Sequence, residues 1–397
     1  MPQPFRPGPL LATACLMAAA LMIPIAAGLT ASAWAQEDRL AAVLDDFHTR
    51  YGFPGATAAI SLPDGTMVTA ATGLADVENG HAMTPQTPML AASIGKSFVA
   101  ATVLALESEG SLSRDDLLSA HLGERPWFER LPNADSITIN HLLRHTAGLP
   151  DHVRLPEFKA NWSRLTAREG AFNPEDLVVF IAGRDPLFEA GRAWAYSDSG
   201  YVLLGLLIED VTGQPWHEAV RVRFLEPLGL AGTIPSDRPD LPGLAIGYVA
   251  RENPFGMPAR TADAQGRLLW NPVVEYTGGG FASTSTDLAR WGHALFGGEA
   301  MGTPYLERLL DGVRVEPDAP GLCYGAGVAI YQETQHGPVY GHGGWIPGYV
   351  ASLRHYADYG TTIAFQINTD IGITDDTSTL VPALETALAD LAISMLH

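Results

Sequence analysis

Apolar residues first recur at helical spacing in Glu37 to Tyr51, where Leu40, Val43, Leu44 and Phe47 mark one face of a helix. Two strand-like runs follow, Ala56 to Leu62 and Thr66 to Thr72, with Pro63-Asp64-Gly65 as the turn between them. An apolar, helix-compatible segment opens at Ser93, runs to about Leu106 and stops at Glu109-Gly110, where glycine is a natural cap. From Ser111 to about Leu230 the pattern reads mainly as helices and loops, punctuated by prolines at 126, 132, 150, 156, 174 and 186. Pro235 to Pro242 forms a Pro-rich connection, and Thr284 to Phe296 is a further helix with Ser285 or Thr286 near its start. Then the texture changes. Tyr324 to Tyr331, Val350 to Tyr356 and Thr361 to Asn368 are short and β-branched or aromatic, and they are separated by His336-Gly337-Pro338 and Asp358-Tyr359-Gly360 turns. They read as consecutive antiparallel strands, and a helix from about Leu380 to Leu396 closes the chain. This order predicts an α/β fold: an antiparallel sheet flanked by helices, built from both chain ends, with a mainly helical region at roughly 111–285 inserted between them.

The N-terminal stretch is set apart from this pattern. Arg6 is its only early charge, an uncharged run follows from Leu10 to Leu29, and Ala33-Trp34-Ala35 precedes Gln36. That order predicts a secretory signal peptide over residues 1–35, cleaved after Ala35, with no stable membrane anchor afterwards and a periplasmic or secreted destination. Cleavage removes Cys15 and leaves Cys323 alone, so no internal disulfide is available and residues 36–397 hold by packing. With 47% hydrophobic residues in 397, one large core or two modest ones are affordable. The net charge of -20 argues against a nucleic-acid partner, because an acidic surface repels phosphate. There is no P-loop, no Gly-x-Gly-x-x-Gly after a strand and no fixed-period repeat.

Candidate chemistry centres on Ser93-Ile94-Gly95-Lys96. Residues three apart share a helix face, so the Ser93 hydroxyl and the Lys96 amine can meet. A desolvated lysine beside a serine is a standard way to activate that nucleophile. Lys96 and Lys159 are the only lysines in the chain, so with 18 serines about 0.1 chance matches to Ser-x-x-Lys are expected. Lys159 is not expected to take part. Tyr196-Ser197-Asp198 precedes an apolar helical run and offers a tyrosine able to act as a base when held near a cation. Tyr340-Gly341-His342-Gly343-Gly344-Trp345 reads as a Gly-rich turn between strands, where backbone N–H groups can approach a substrate as an oxyanion hole requires, with His342 as an added donor.

Together these stretches resemble the class C β-lactamase, DD-peptidase and D-aminopeptidase group of serine hydrolases. The resemblance covers nearly all of the mature chain. Beside the motifs above it rests on Leu142 to Pro150, Phe188 to Gly205, Thr212 to Pro215, Glu226 to Leu230, and Gly279 to Thr284 with Asp287 to Arg290. It implies an acyl-enzyme mechanism in which Ser93 attacks a carbonyl and Lys96 and Tyr196 move its proton. The Ser93 and Trp345 N–H groups would hold the oxyanion, and His342 would orient the substrate or assist Tyr196. Asp198, Gly343, Gly344 and Trp345 would contact the substrate. The chain departs from the family pattern twice: Asp198 stands where an asparagine is usual, and Gly343 where a hydroxyl residue is usual.

These departures predict a small peptide or ester substrate rather than an efficient β-lactamase reaction. β-Lactamase or DD-carboxypeptidase activity is the alternative, and a non-catalytic penicillin-sensing protein is the rival from another class. His342 is expected to impose a pH dependence between about 6 and 8. There is no Gly-x-Ser-x-Gly elbow. His217-Glu218 starts like a metalloprotease helix, but Arg221 occupies the second histidine position, so neither metal nor cofactor is inferred.

Overall fold

The computed structural model describes residues 23–167, 172–250, 253–315, 319, 321–370 and 379–397, with side chains from residue 34 onward. Its first elements are α1 (Ile23–Tyr51), β1 (Gly55–Ser61), β2 (Met67–Asp76), β3 (His81–Ala82), β4 (Met89–Leu90) and α2 (Gly95–Ser108). Then come α3 (Ser119–Leu122), α4 (Ile139–Leu143), α5 (Pro156–Leu165), α6 (Glu175–Val178), α7 (Asp198–Thr212) and α8 (Trp216–Val220). They are followed by β5 (Ile234–Pro235), β6 (Phe281–Ser283), α9 (Ser285–Gly297), α10 (Tyr305–Leu309) and β7 (Val313–Arg314). The chain ends with β8 (Leu322–Tyr324), β9 (Ala329–Tyr331), β10 (Val339–Ile346), β11 (Tyr349–Tyr356), β12 (Thr361–Ile367) and α11 (Leu380–Ser394).

A nine-stranded antiparallel sheet runs β3-β2-β1-β12-β11-β10-β9-β8-β7, so strands from the two chain ends meet where β1 pairs β12. All seven positions of β1 are buried, because helices cover both faces there. On one face Ala58, Ile60 and Phe365 pack against Leu40, Leu44 and Phe47 of α1 and Leu384 and Leu388 of α11. On the other, Thr57 Oγ1 meets Ser285 Oγ of α9 at 2.7 Å. The β1–β2 hairpin closes as the sequence suggests: Asp64 Oδ1 accepts the Thr66 N–H at 2.9 Å, and Gly65 takes φ +82°. Short strands β4, β6 and β5 form a second small sheet beneath α2.

Helices α2 and α7 run through the larger core. Ser199 to Ile208 of α7 are all buried, and Phe98 of α2 stacks on Trp291 of α9 at 4.1 Å. Full burial of a side chain such as Phe98 is worth about 2 kcal/mol. This packing fixes the N-terminal ends of α2 and α7 in space, and both lie at the site.

Two local expectations are corrected. Tyr324 to Tyr331 is two strands, because Gly325-Ala326-Gly327 turns the chain between them, with Gly327 at φ +70°. Helix α9 starts at Ser285 as expected and is capped by Thr284, whose hydroxyl accepts the Asp287 N–H. Tyr340 to Trp345 is the body of β10, not a turn. Residues 1–22 of the expected leader lie outside the described residues, and α1 is continuous through Ala35. Among the described residues no helix is long and apolar enough to cross a membrane.

Candidate active site

Ala92–Ile94 forms one 3-10 turn that leads into α2 and carries Ser93 at the helix entrance. Ala92 has φ +47°, which residues other than glycine rarely adopt. Such a conformation costs of order 1–3 kcal/mol and persists only where the surroundings impose it. They do so here. A Cβ on Gly95 would lie 1.8 Å from the Gly279 carbonyl oxygen, and one on Gly344 would lie 2.3 Å from the Ala91 oxygen. Glycine at both positions lets the 278–279 backbone and β10 press against the serine turn.

Ser93 Oγ accepts a hydrogen bond from Lys96 Nζ at 3.1 Å and from the Tyr196 hydroxyl at 3.0 Å. Both its lone pairs are thereby taken, and its own proton can turn toward a bound group. Lys96 is wholly buried. Its other two N–H groups reach the Gly278 carbonyl at 2.5 Å and Asp198 Oδ1 at 2.5 Å. Burial alone would lower the lysine pKa, but Asp198 and then Tyr196 oppose it and win, so the pKa is raised. The side chain therefore rests as an ammonium with every donor used. The Tyr196 and Tyr201 rings add cation–π contacts at 5.0 and 5.4 Å. Asp198 opens α7, where the helix dipole favours a carboxylate.

Tyr196 sits in an aromatic box of His145, Trp194, Tyr324 and His342, the closest ring being His145 at 4.3 Å. Burial first, and Asp198 next among the raising causes, push the phenol up to about 12 against the opposing pull of Lys96. The resting tyrosine is thus a neutral donor.

β9 pairs with β10 only over Val339–Gly341. The remaining half, His342 to Ile346, faces the Ala91–Ser93 turn instead of a strand. This brings the Trp345 and Ser93 backbones, the expected oxyanion donors, onto two adjoining segments. His342 differs from expectation. Its Nδ1 meets the Gly343 carbonyl at 2.5 Å and its Nε2 meets the Tyr324 hydroxyl at 2.8 Å, so both ring nitrogens are engaged within the protein. Burial, followed by the Lys96 charge, lowers its pKa to about 3. It is neutral across the range in which the sequence led us to expect titration.

Ser93, Tyr196, Asp198, His342, Gly343, Gly344 and Trp345 all line one cleft of about 550 Å³. Lys96 lies directly behind the serine. One wall is aromatic: Trp162 lies 4.4 Å from Phe255, which stacks on Trp345 at 6.3 Å. The sequence reading missed Asp151, His152 and Glu275, which also line the cleft. It missed His145 and Gly278 as well. His145 stood inside a recognised motif and Gly278 just before one, but their contacts are made by chain far away in sequence. Lys159, expected to be a bystander, lines the cleft too.

With this geometry in place, comparison with known proteins decides the family. The model of the family described as Beta-lactamase matches residues 40–388. The chain belongs to the beta-lactamase family. Penicillin-binding protein 4* of Bacillus subtilis (strain 168) is 28% identical over 289 residues, 70% of this chain and 60% of that protein. Esterase EstB of Burkholderia gladioli is 34% identical over 221 residues, 54% of this chain and 55% of the relative. These matches thus span little more than half of either curated relative. A solved D-stereospecific amidohydrolase from Streptomyces sp. superposes with a TM-score of 0.70 at 27% identity, covering 85% of this chain and 94% of that one. Family and fold agree with the resemblance carried by the motifs, and serine hydrolase is the enzyme class they share.

Proposed function

We propose that this beta-lactamase family member is an exported serine hydrolase. It would form an acyl-enzyme at Ser93 on a small ester or amide whose reacting end bears no carboxylate. The observation that carries the hydrolase reading is Ser93 Oγ held between Lys96 Nζ at 3.1 Å and the Tyr196 hydroxyl at 3.0 Å. The substrate preference is supported by the β10 wall. Gly343 supplies no hydroxyl, His342 is neutral with both nitrogens engaged, and Lys96 is committed to Asp198. A substrate carboxylate would find no unspent cation beside the serine. Lys159 and Arg154 stand elsewhere on the lining, on and just before α5. The esterase and amidohydrolase relatives are consistent with this reading.

The proton route follows from the resting charges. Ser93 Oγ bonds to the carbonyl carbon while its proton passes to Lys96, which passes one of its own to Asp198. The pair ends as ammonium and carboxylic acid. The stored proton returns through Lys96 or Tyr196 to the leaving oxygen or nitrogen as that bond breaks. Water then repeats the sequence on the acyl-enzyme. Ionising Tyr196 first is the competing route, at a cost of about 7 kcal/mol at pH 7 for a phenol pushed up to about 12, and the pH profile of hydrolysis tells the two apart.

Export rests on the leader-like sequence of residues 1–35. It is consistent with α1, where Trp34 is 69% exposed and core packing begins at Leu40, so cleavage after Ala35 would leave the fold's contacts intact. The substrate assignment is tested by kcat/KM for a neutral p-nitrophenyl ester and for a cephalosporin. We expect the ester to be strongly preferred. A strong preference for the cephalosporin would overturn the assignment.

A further inference from the structure

Tyr196 reaches the nucleophile from a stretch without regular structure. Trp194 to Ser197 belongs to no helix or strand, and α7 begins only at Asp198. A side chain on such a stretch keeps its place through whatever grips the backbone on either side of it. Here one residue does both. The His145 carbonyl accepts the Ala195 N–H at 3.0 Å, and His145 Nδ1 accepts the Ser197 N–H at 3.3 Å. The two bonds bracket Tyr196, and the imidazole lies against the tyrosine ring at 4.3 Å.

The end of α4 delivers His145 to this position. It closes in a Schellman turn, in which the Thr146 N–H reaches the His141 carbonyl at 2.9 Å and the His145 N–H reaches the Leu142 carbonyl at 3.3 Å. Such a turn needs a left-handed residue at its centre, and His145 has φ +57°. Glycine is the usual choice there, because it has no Cβ to clash. A histidine adds a conformational cost that ending the helix does not require. What it adds is a ring turned inward, 3% exposed, among Trp194, Tyr201 and Tyr324 as well as Tyr196. His145 is not among the residues lining the cleft, so it reaches the chemistry only through another side chain.

We propose that His145 is the positioning residue for Tyr196, clamping the 195–197 backbone so that the phenol hydroxyl meets Ser93 Oγ. To accept the Ser197 N–H, Nδ1 must carry no proton, so the neutral ring bears its hydrogen on Nε2. Burial, followed by the Lys96 charge, keeps the imidazole neutral by holding its pKa well below the usual histidine range. Asp198 is placed separately, since Asp151 Oδ1 accepts its N–H at 3.3 Å. Losing the clamp should therefore displace the tyrosine and spare the Lys96–Asp198 pair. This assignment deepens the hydrolase reading and rests on it for the kinetic test alone.

Two substitutions separate the clamp from the fold. His145→Gly suits the left-handed backbone and removes the acceptor, whereas His145→Asn tolerates the same backbone and offers Oδ1 near the place of Nδ1. With a neutral p-nitrophenyl ester, kcat/KM should fall about 100-fold in His145→Gly, the cost of misplacing a reacting group by about 1 Å, and His145→Asn should recover most of it. In a Tyr196→Phe background, His145→Gly should cost less than about threefold more, because the hydroxyl it positions is gone. An equal loss in both backgrounds would overturn the proposal, and so would an Asn variant no better than the Gly one. Hydrogen exchange of the peptide spanning 194–198 needs no turnover. It should quicken in His145→Gly and slow again in His145→Asn; unaltered exchange would overturn the clamp. The expected exchange pattern in a chain that hydrolyses no ester would uphold the clamp and count against the hydrolase reading. Should neither variant fold, nitrogen-15 NMR of the histidine-labelled wild type still decides: His145 should carry its hydrogen on Nε2, and a proton on Nδ1 would overturn the proposal.

Discussion

Asp198→Asn is the substitution that most sharply probes the proton route. In the wild type the ammonium and carboxylate are 2.5 Å apart with Lys96 fully buried. At an effective dielectric of 20 that contact is worth about 7 kcal/mol, or about five pKa units. Asparagine keeps the shape and removes the charge. Burial would then act on Lys96 unopposed by its main partner and lower its pKa. The variant loses its internal proton acceptor but gains a lysine that can itself become the base. The assay is kcat/KM for a neutral p-nitrophenyl ester between pH 5.5 and 9. The wild type moves its proton within a pair of constant net charge, so its profile should be nearly flat. Asp198→Asn should be much slower at pH 6 and rise about tenfold per pH unit toward a plateau. Glu275 and Asp151 also titrate in the cleft, so the readout is the variant-to-wild-type ratio at each pH. Parallel profiles would refute the reasoning. So would a wild type that itself rises tenfold per unit, which would make tyrosinate formation the controlling step.

Three further outcomes follow. Gly343→Ser has room, since an added Cβ meets nothing closer than the Arg354 guanidinium at 3.9 Å, and the restored hydroxyl should raise kcat/KM for a carboxylate-bearing cephalosporin about tenfold; no gain would show that the missing hydroxyl does not limit that substrate. His342→Gln should leave the pH dependence of ester hydrolysis unshifted, because the imidazole is already neutral down to about pH 3, whereas a displaced midpoint would restore it as a titrating group. Stability should peak near pH 6.5 in a calorimetric melting series. Below it, the buried neutral His152, His342 and His355, with folded pKa values near 4, 3 and 4 against about 6.5 unfolded, lose stability as pH falls. Above it, Glu275, whose folded pKa is raised to about 8, loses its contribution as pH rises, and a melting temperature still climbing at pH 8 would contradict this.

The sequence is most readable where chemistry is local. Ser93 and Lys96 meet because they are three apart on one helical turn, and Asp198 marks the start of α7 because a carboxylate suits a helix entrance. The pairing of β1 with β12 was foreseen only as a general closure of the chain ends, since register depends on which faces the helices cover. What stayed hidden is long-range. The third partner of Lys96 is the Gly278 carbonyl, 182 residues away, and a backbone oxygen leaves no mark in residue identity. Glu275 looked like any loop glutamate until the structure placed it on the cleft lining. His342 was misjudged for the same reason: its type predicted a switch near neutral pH, while desolvation and the Tyr324 contact, made by a separate strand, fix it as a neutral group.

The central claim is that Ser93 carries the acyl group. Mass spectrometry of the intact protein and of its acid-quenched peptic digest, after rapid mixing with a neutral p-nitrophenyl ester, reads it directly. The wild type should gain one acyl mass on the peptide containing Ser93 and lose it as product accumulates, and Ser93→Ala should gain none and release no p-nitrophenol above background. An adduct of equal yield in Ser93→Ala, or steady turnover by that variant, would contradict the account.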